Sequence, residues 1–190
     1  MTSLCCSSYF HLRKIASIRP YLSDESTAQL VSSLMLSRLD YRNSTLSGLP
    51  PSSLNRLQKV QNNAARLVHR KRKLDHVTPL LGKLHWLPVE ARIHYKIATL
   101  AFRHFDSSLS PYLSELLHTY QPSRTLRSSS EKLLKVPKTN LKSAGNRSFP
   151  FQAAKVWNSL PTNVRSSPSL SSFKRNLKTH LFKERFSLGL

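Results

Sequence analysis

Apolar residues recur at helical spacing through the first two thirds of the chain. The clearest pattern follows the Gly-Leu-Pro-Pro sequence at residues 48–51, which is a strong break. Apolar side chains three or four positions apart then predict an amphipathic helix with one buried face, formed by Leu54, Leu57, Val60, Ala64, Leu67 and Val68. Either Ser52 or Ser53 can cap its first turn.

Shorter patterns of the same kind predict further helices, at about residues 12–19, 24–39, 78–84, 88–105 and 111–117. Asp24 can cap the second of these. Thr78-Pro79 fits an N-cap followed by proline at the first helical position, and Ser110-Pro111 repeats this arrangement. The helix at 88–105 has the broadest apolar face, which predicts that it is the central helix of the core.

The pattern changes in the last third of the chain. Residues 122–131 are rich in Pro, Ser, Thr and Arg with little apolar content, which predicts a linker. The apolar residues within 133–136 then predict a strand, and residues 141–149 can return as its hairpin partner. Either residues 138–140 or residues 144–146 can form the turn between them.

Two helices are expected after this hairpin, at about residues 150–159 and 169–184, with Ser169 capping the second. The predicted fold class is therefore mainly α. A helical domain at 1–121 is followed by the linker and by a small, basic α+β subdomain at 132–190 with a hairpin and two helices.

The charge of the chain indicates a polyanionic partner. Lys and Arg number 30 against 9 acidic residues, which gives a net charge of +21 and a pI near 10.8. Self-repulsion at this charge opposes compactness, so nucleic acid is the first candidate partner and an anionic membrane surface the second. Residues 51–105 carry eleven basic and two acidic side chains, and residues 122–190 carry fourteen and two. Residues 106–121, between these blocks, carry no Lys or Arg.

The Arg-Lys-Arg-Lys run at residues 70–73 is expected to continue the basic face of the helix at 54–68. It can contact phosphates, act as a nuclear-import signal, or be a solvated helix end, and nucleic-acid contact is the favoured interpretation. Two groups of residues are predicted to contact the backbone of RNA or DNA without sequence specificity: Lys59, Arg66, Arg70, Lys71, Arg72 and Lys73, and on the last helix Lys174, Arg175 and Lys178. Trp86 and Trp157 could stack on bases but are more typical of core anchors at helix ends.

Catalytic and metal-binding patterns are missing from the sequence. The nine carboxylates are scattered without an Asp-Asp pair, so two-metal phosphoryl transfer is not expected. Cys5 and Cys6 are adjacent and lack the spacing of a zinc knuckle, so no metal, cofactor or disulfide framework is predicted. Without a secretory signal or an apolar run of about 18 residues, we expect a nuclear or cytoplasmic protein that does not span a membrane.

Five phrases, taken together and in order, carry a family resemblance. They run from Tyr9 to Ser23, from Ser37 to Pro50 (Ser-Arg-Leu-Asp-Tyr-Arg-Asn-Ser-Thr-Leu-Ser-Gly-Leu-Pro), from Leu57 to Arg66, from Leu84 to Val89 and from Val156 to Pro161. In this order the chain resembles the C-terminal region of the reverse-transcriptase polyprotein of LINE-type (non-LTR, jockey-like) retrotransposons. It departs from that family at Arg42, where a cysteine is usual.

The resemblance implies a region at or beyond the thumb of the polymerase, following the fingers and palm. The catalytic palm with its Tyr-x-Asp-Asp loop would lie upstream of residue 1, so this chain is expected not to be an enzyme on its own. In a full-length element its partners would be the upstream polymerase domain and the nucleic acid. Two alternatives remain open at this stage. The chain could be a structural piece that only packs on the polymerase domain, or a basic protein that associates with anionic membranes.

Overall fold

The computed structural model describes residues 2–41, 43–122 and 132–186. Arg42, where the sequence departs from the retrotransposon pattern, lies outside the described residues, as does nearly all of the predicted linker (123–131). The regular structure in the described ranges is helical, which confirms the mainly α fold. The helices are α1 (Thr2–Ile18), α2 (Asp24–Val31), α3 (Ser37–Asp40), α4 (Pro51–Val68), α5 (Thr78–Lys83), α6 (Val89–Phe105), α7 (Pro111–Ser114), α8 (Lys142–Gly145), α9 (Phe149–Ser159), α10 (Thr162–Arg165) and α11 (Leu170–Phe186). A 3₁₀ turn at Arg19–Tyr21 follows α1, a π-helical turn at Ser32–Leu36 joins α2 to α3, and a second 3₁₀ turn spans Asn43–Leu46.

The described residues form two compact units. The first unit contains residues 2–41, 43 and 49–92, and the second contains residues 44–48, 93–122 and 132–186. Apart from residues 44–48, which belong to the second unit, the boundary between the two units falls between Arg92 and Ile93, within α6. It does not coincide with the predicted boundaries at 121 and 132.

In the first unit, α4 packs against α1 and α2 through the apolar face that its sequence predicts. Leu57, Val60, Ala64 and Val68 have no exposed surface, whereas Leu54 and Leu67 are half-buried at the two ends of the face. One polar side chain, Gln61, is also fully buried, and its Nε2 donates to the carbonyl oxygen of Leu87 at 2.9 Å. Because this amide satisfies a buried backbone group, it fixes the turn before α6 at little cost.

An aromatic cluster lies at the centre of the second unit. Phe102 stacks on Phe173 with ring centroids 4.4 Å apart, and Phe105 stacks on Trp157 at 5.1 Å. Trp157 is fully buried, and its Nε1 donates to the carbonyl oxygen of Lys132 at 2.7 Å. Trp86 in the first unit is also buried, so the prediction that both tryptophans are core anchors is confirmed.

The predicted hairpin is absent from residues 132–186, and the α+β description of this part is wrong. Leu134 makes an isolated antiparallel bridge with Thr119. The side chain of Asn158 takes the place of a second strand: its Oδ1 accepts from the N–H of Leu134 at 3.0 Å, and its Nδ2 donates to the carbonyl oxygen at 2.8 Å. The expected return strand instead contains α8 and the start of α9, where Pro150 favours a helical first turn.

Within the described ranges, three helices are followed by a left-handed residue that is not glycine, namely Arg70 after α4 (φ 51°), His85 after α5 (φ 52°) and Ser107 after α6 (φ 55°). At the end of α6, the N–H of Ser107 donates to the carbonyl oxygen of His104 at 3.3 Å, and the N–H of Ser108 to that of Arg103 at 3.0 Å. This pair of bonds is a Schellman motif, whose left-handed position is usually glycine. The hydrogen bonds therefore stabilise a backbone conformation that the side chain opposes.

We expect Ser107→Gly to stabilise the protein. Removing Cβ relieves a cost of about 1 kcal/mol at a left-handed residue, which raises Tm by roughly 2–4 °C in a chain of this size. Ser107→Ala keeps Cβ and is the matched control, which should show no gain. Thermal melts followed by circular dichroism measure both. A Tm of Ser107→Gly at or below that of the wild type would contradict this account of the helix end.

Candidate nucleic-acid interface

A buried arginine fixes the point where the basic run leaves α4. Arg19 is 6% exposed, and its guanidinium donates at 3.0 Å to the carbonyl oxygen of Leu67 and at 2.6 Å to that of Val68. It also donates to the carbonyl oxygen of Leu22 at 2.6 Å and pairs with the carboxylate of Asp24. Helices leave their last carbonyls unpaired and carry partial negative charge there, so this cation stabilises the end of α4 in two ways.

The basic run at residues 70–73 does not continue the helix, and that prediction is wrong. Helix α4 ends at Val68, and Arg70 adopts a left-handed conformation. The N–H of Lys71 then donates to the carbonyl oxygen of Arg66 at 2.9 Å, which completes another Schellman motif. The chain therefore turns away from the helix axis, and the four cations lie on a loop. We call residues 70–76 the basic loop.

Asp75 gives the basic loop its shape. Its Oδ2 accepts from the N–H of Arg72 at 2.7 Å, and its own N–H donates to the carbonyl oxygen of Arg72 at 3.1 Å. These bonds close a four-residue turn, with Lys73 and Leu74 at its two central positions. Both side chains are exposed, and Leu74 is 94% exposed. The tip of the loop thus presents a cation and an apolar side chain to solvent.

Arg66 holds the basic loop against α4. Its Nε and Nη2 donate to the carbonyl oxygen of Asp75 at 3.2 and 3.1 Å, and its Nη1 donates to Oδ1 of Asn63 at 3.4 Å. The side chain is half-buried. In this position Arg66 orients the loop, and its predicted contact with phosphate stays a prediction.

The structure brings four of the nine predicted site residues together. The side chains of Arg70, Lys71, Arg72 and Lys73 are exposed on the one loop. Among the described residues, no carboxylate oxygen lies within 4.0 Å of their charged side-chain nitrogens. The four cations are close together in the chain, and no described carboxylate pairs with their side chains. The loop therefore produces a strong positive potential.

Arg66 contacts this loop from α4, and the four remaining predicted residues belong to other parts of the chain. Lys59 is exposed on α4, nine residues and thus about 14 Å before its end. Arg175 and Lys178 are exposed on α11 in the second unit, and Lys174 is half-buried beside them. These three cations share one helix at positions i, i+1 and i+4, so they form a smaller basic surface of the second unit.

The sequence patterns did not point to one residue near the basic loop of the first unit. Tyr21 is 88% exposed at the end of the 3₁₀ turn that contains Arg19. Nη2 of Arg70 donates to the carbonyl oxygen of Leu22 at 3.2 Å, which places a loop cation next to this turn. Between them is an open cleft of about 380 Å³ with Pro20 on one side and Lys71 on the other. An aromatic residue directly after a helix-ending proline is the sequence signal that could have identified it.

Carboxylates in the first unit hold its structure together. Oδ2 of Asp40 accepts from Nη1 of Arg92 at 2.6 Å, which forms an ion pair between α3 and the start of α6. Arg38 donates to the hydroxyl of Ser7. Within the described residues, no group of three or more His, Cys, Asp or Glu side chains could hold a metal ion. None of the described helices is long and apolar enough to cross a membrane.

Comparison with known proteins identified no relative. No family model, curated protein or solved structure matches this chain.

We expect Arg19→Lys to destabilise the first unit by about 2 kcal/mol, the scale of one hydrogen bond to a charged group. A lysine ammonium keeps the charge, but one nitrogen cannot replace a planar fork of donors that meets three carbonyls and a carboxylate. Urea denaturation measures the loss. Arg13→Lys, at an exposed position on α1, is the matched control and should change stability by less than about 0.5 kcal/mol. Equal stability of Arg19→Lys and wild type would show that the guanidinium geometry is unimportant.

Proposed function

We propose that this chain is a non-catalytic C-terminal region of a LINE-type retrotransposon RNA-directed DNA polymerase, and that it binds the backbone of RNA or DNA. The observation that carries the binding proposal is the basic loop. Its four cations are exposed and adjacent, and within the described residues no carboxylate pairs with them. A loop of like charges is least costly when a polyanion lies against it.

The binding mechanism is electrostatic. Each phosphate neutralised by Lys or Arg releases condensed counterions into solution, and this release favours binding at low salt. Contacts of this kind position a protein on nucleic acid but read no sequence. The loop suits such contacts because Arg66 and Asp75 define its backbone, so fewer conformations are lost on binding.

The retrotransposon part of the proposal rests on the five phrases, and two of them contain buried anchor residues at structural joints. The phrase at residues 84–89 joins α5 to α6, and within it Trp86 and Leu87 are buried. The phrase at residues 156–161 ends α9 and contains the fully buried Trp157. Residues that anchor helix ends are tightly constrained in type and spacing, which gives a physical reason for such phrases to recur across a family.

In this proposal the polymerase chemistry belongs to the upstream fingers and palm. The present chain binds the primer–template or the RNA of the element, in the nucleus or the cytoplasm. Its carboxylates Asp24, Asp40 and Asp75 bind arginine side chains or loop backbone. These roles leave them as structural groups in the first unit.

A second candidate function is a purely structural one, in which the chain packs on the polymerase domain. Exposed apolar side chains on α1 favour it: Phe10 is 51% exposed and Ile18 46%. Large exposed apolar surfaces are typical of interfaces between proteins or domains. Binding to nucleic acid with a clear salt dependence separates the two functions, because a packing surface alone would not produce it. Association with anionic vesicles instead would favour the membrane alternative, for which the exposed Leu74 could insert between lipids.

Neutralising the basic loop should flatten the salt dependence of binding. In the variant Arg70→Gln, Lys71→Gln, Arg72→Gln and Lys73→Gln, the slope of log K against log salt should fall by roughly two to three units. Affinity should decrease to a similar extent for unrelated sequences, since phosphates carry no base information. Fluorescence-anisotropy titrations at several salt concentrations measure the slope, with circular dichroism as the folding control.

A matched control removes the same charge elsewhere. Arg56, Lys83, Lys96 and Lys155 are exposed on four different helices, and their combined change to Gln lowers the net charge by the same amount. This control should change the slope by less than about one unit, because dispersed charges make few simultaneous phosphate contacts. Equal slopes for wild type and the folded loop variant would show that the basic loop is only a solvated surface.

A further inference from the structure

Tyr21 is an exposed aromatic ring on a rigid support. Its side chain is 88% exposed, whereas Arg19 in the same 3₁₀ turn is buried and makes four hydrogen bonds. Pro20 fixes one backbone torsion angle between them. The N–H of Leu22 donates to the carbonyl oxygen of Arg19 at 3.2 Å and closes the turn. The ring is therefore held in solvent by a backbone that has little freedom to withdraw it.

Cations of the basic loop lie beside this turn. The guanidinium of Arg70 donates to the carbonyl oxygen of Leu22, the next residue after the tyrosine. The open cleft of about 380 Å³ between Pro20 and Lys71 separates the turn from the loop backbone. Arg70 and Lys71 of the basic loop thus line one open space in the first unit together with Pro20, and Tyr21 directly follows Pro20 in the chain.

We propose that Tyr21 stacks on an unpaired base while Arg70 and Lys71 contact the flanking phosphates, so that this surface prefers single-stranded nucleic acid to a duplex. The inference rests on the proposed function and names its substrate class. Bases stack on aromatic side chains regardless of sequence, and a cationic groove beside the ring follows the backbone. In a duplex both faces of each base are already stacked on neighbours, so the ring would find no partner there.

Exposure alone does not make a tyrosine suitable for this role, and a second tyrosine provides the contrast. Tyr112 is 74% exposed, but it lies in the segment at 106–121 that has no Lys or Arg. It therefore has no Lys or Arg in its own segment of the chain, unlike the turn beside the basic loop. This makes Tyr112 a control of nearly equal exposure for any measurement on Tyr21.

The test compares a twelve-residue oligothymidylate, the corresponding oligouridylate and a twelve-base-pair DNA duplex as probes for the full chain. Tyr21→Ala should weaken binding of the single strands roughly 5- to 150-fold, the range for loss of one base–aromatic stack. Duplex binding should change less than about twofold, and Tyr112→Ala should leave all three affinities unchanged. The two single-stranded arms show whether RNA or DNA is preferred.

Tyr21→Trp provides rescue and a direct signal. The larger ring should retain single-strand affinity, and its fluorescence should be quenched when a base stacks on it. The natural Trp86 and Trp157 are buried, so they should contribute little to this change. Circular dichroism and a thermal melt of each variant confirm that the fold is intact.

Each outcome bears on a different part of the account. Equal weakening of single-strand and duplex binding by Tyr21→Ala, or no weakening at all, would overturn the stacking role. The proposed backbone binding would survive that result if the salt slope still depended on the basic loop. Failure of the wild-type chain to bind any of the probes would overturn both proposals.

Discussion

The contact between the Arg19 guanidinium and the end of α4 organises the surface on which the proposed function depends. This side chain joins the last carbonyls of α4 to the turn after α1 and to the first residue of α2. It is buried, so its charge must be matched by hydrogen bonds and a carboxylate, and all of these are present. The same interaction sets where the basic loop begins and where the ring of Tyr21 is held.

Charge repulsion is the constraint that this arrangement has to overcome. Four consecutive cations would favour an extended, variable segment on electrostatic grounds alone. The loop is instead closed by the backbone bond from Lys71 to Arg66 and by the carboxylate of Asp75, and the side chain of Arg66 holds the loop against α4. The side chains that fix the conformation of the loop backbone, Arg66 and Asp75, are thus different from the cationic side chains that face solvent. This separation leaves the charged ends of the exposed side chains available to a polyanion.

The sequence predicted the helices well because their apolar spacing is regular, and α4, α6 and α11 lie close to their expected positions. The Ser169 cap is also confirmed, since its hydroxyl accepts from the N–H of Ser172. The cap of α2 was misplaced by one residue: Ser23 accepts the N–H of Ser26, and Asp24 is freed to pair with Arg19. The hairpin failed because a side-chain amide, that of Asn158, pairs with the backbone of Leu134. Spacing cannot reveal a partner 24 residues away.

The sequence predicted only the part of the site that depends on neighbouring residues. Clustering of Arg70 to Lys73 follows from adjacency in sequence and needs no tertiary information. The left-handed turn at Arg70 could not be foreseen, because a glycine is the usual signal for it. Arg66 bonds to Asp75 across the loop, and the turn that carries Tyr21 is held by bonds from Arg19 to the distant end of α4, so both positions emerge only in the folded chain.

Hydrogen exchange of the backbone amides, with and without a bound single-stranded oligonucleotide, tests the central claim most directly. The account predicts slower exchange in the turn at 19–22 and in the basic loop at 70–76, and no change in the acidic segment at 106–121. Bound oligonucleotide with unchanged exchange in the turn and the loop, and protection elsewhere, would contradict it.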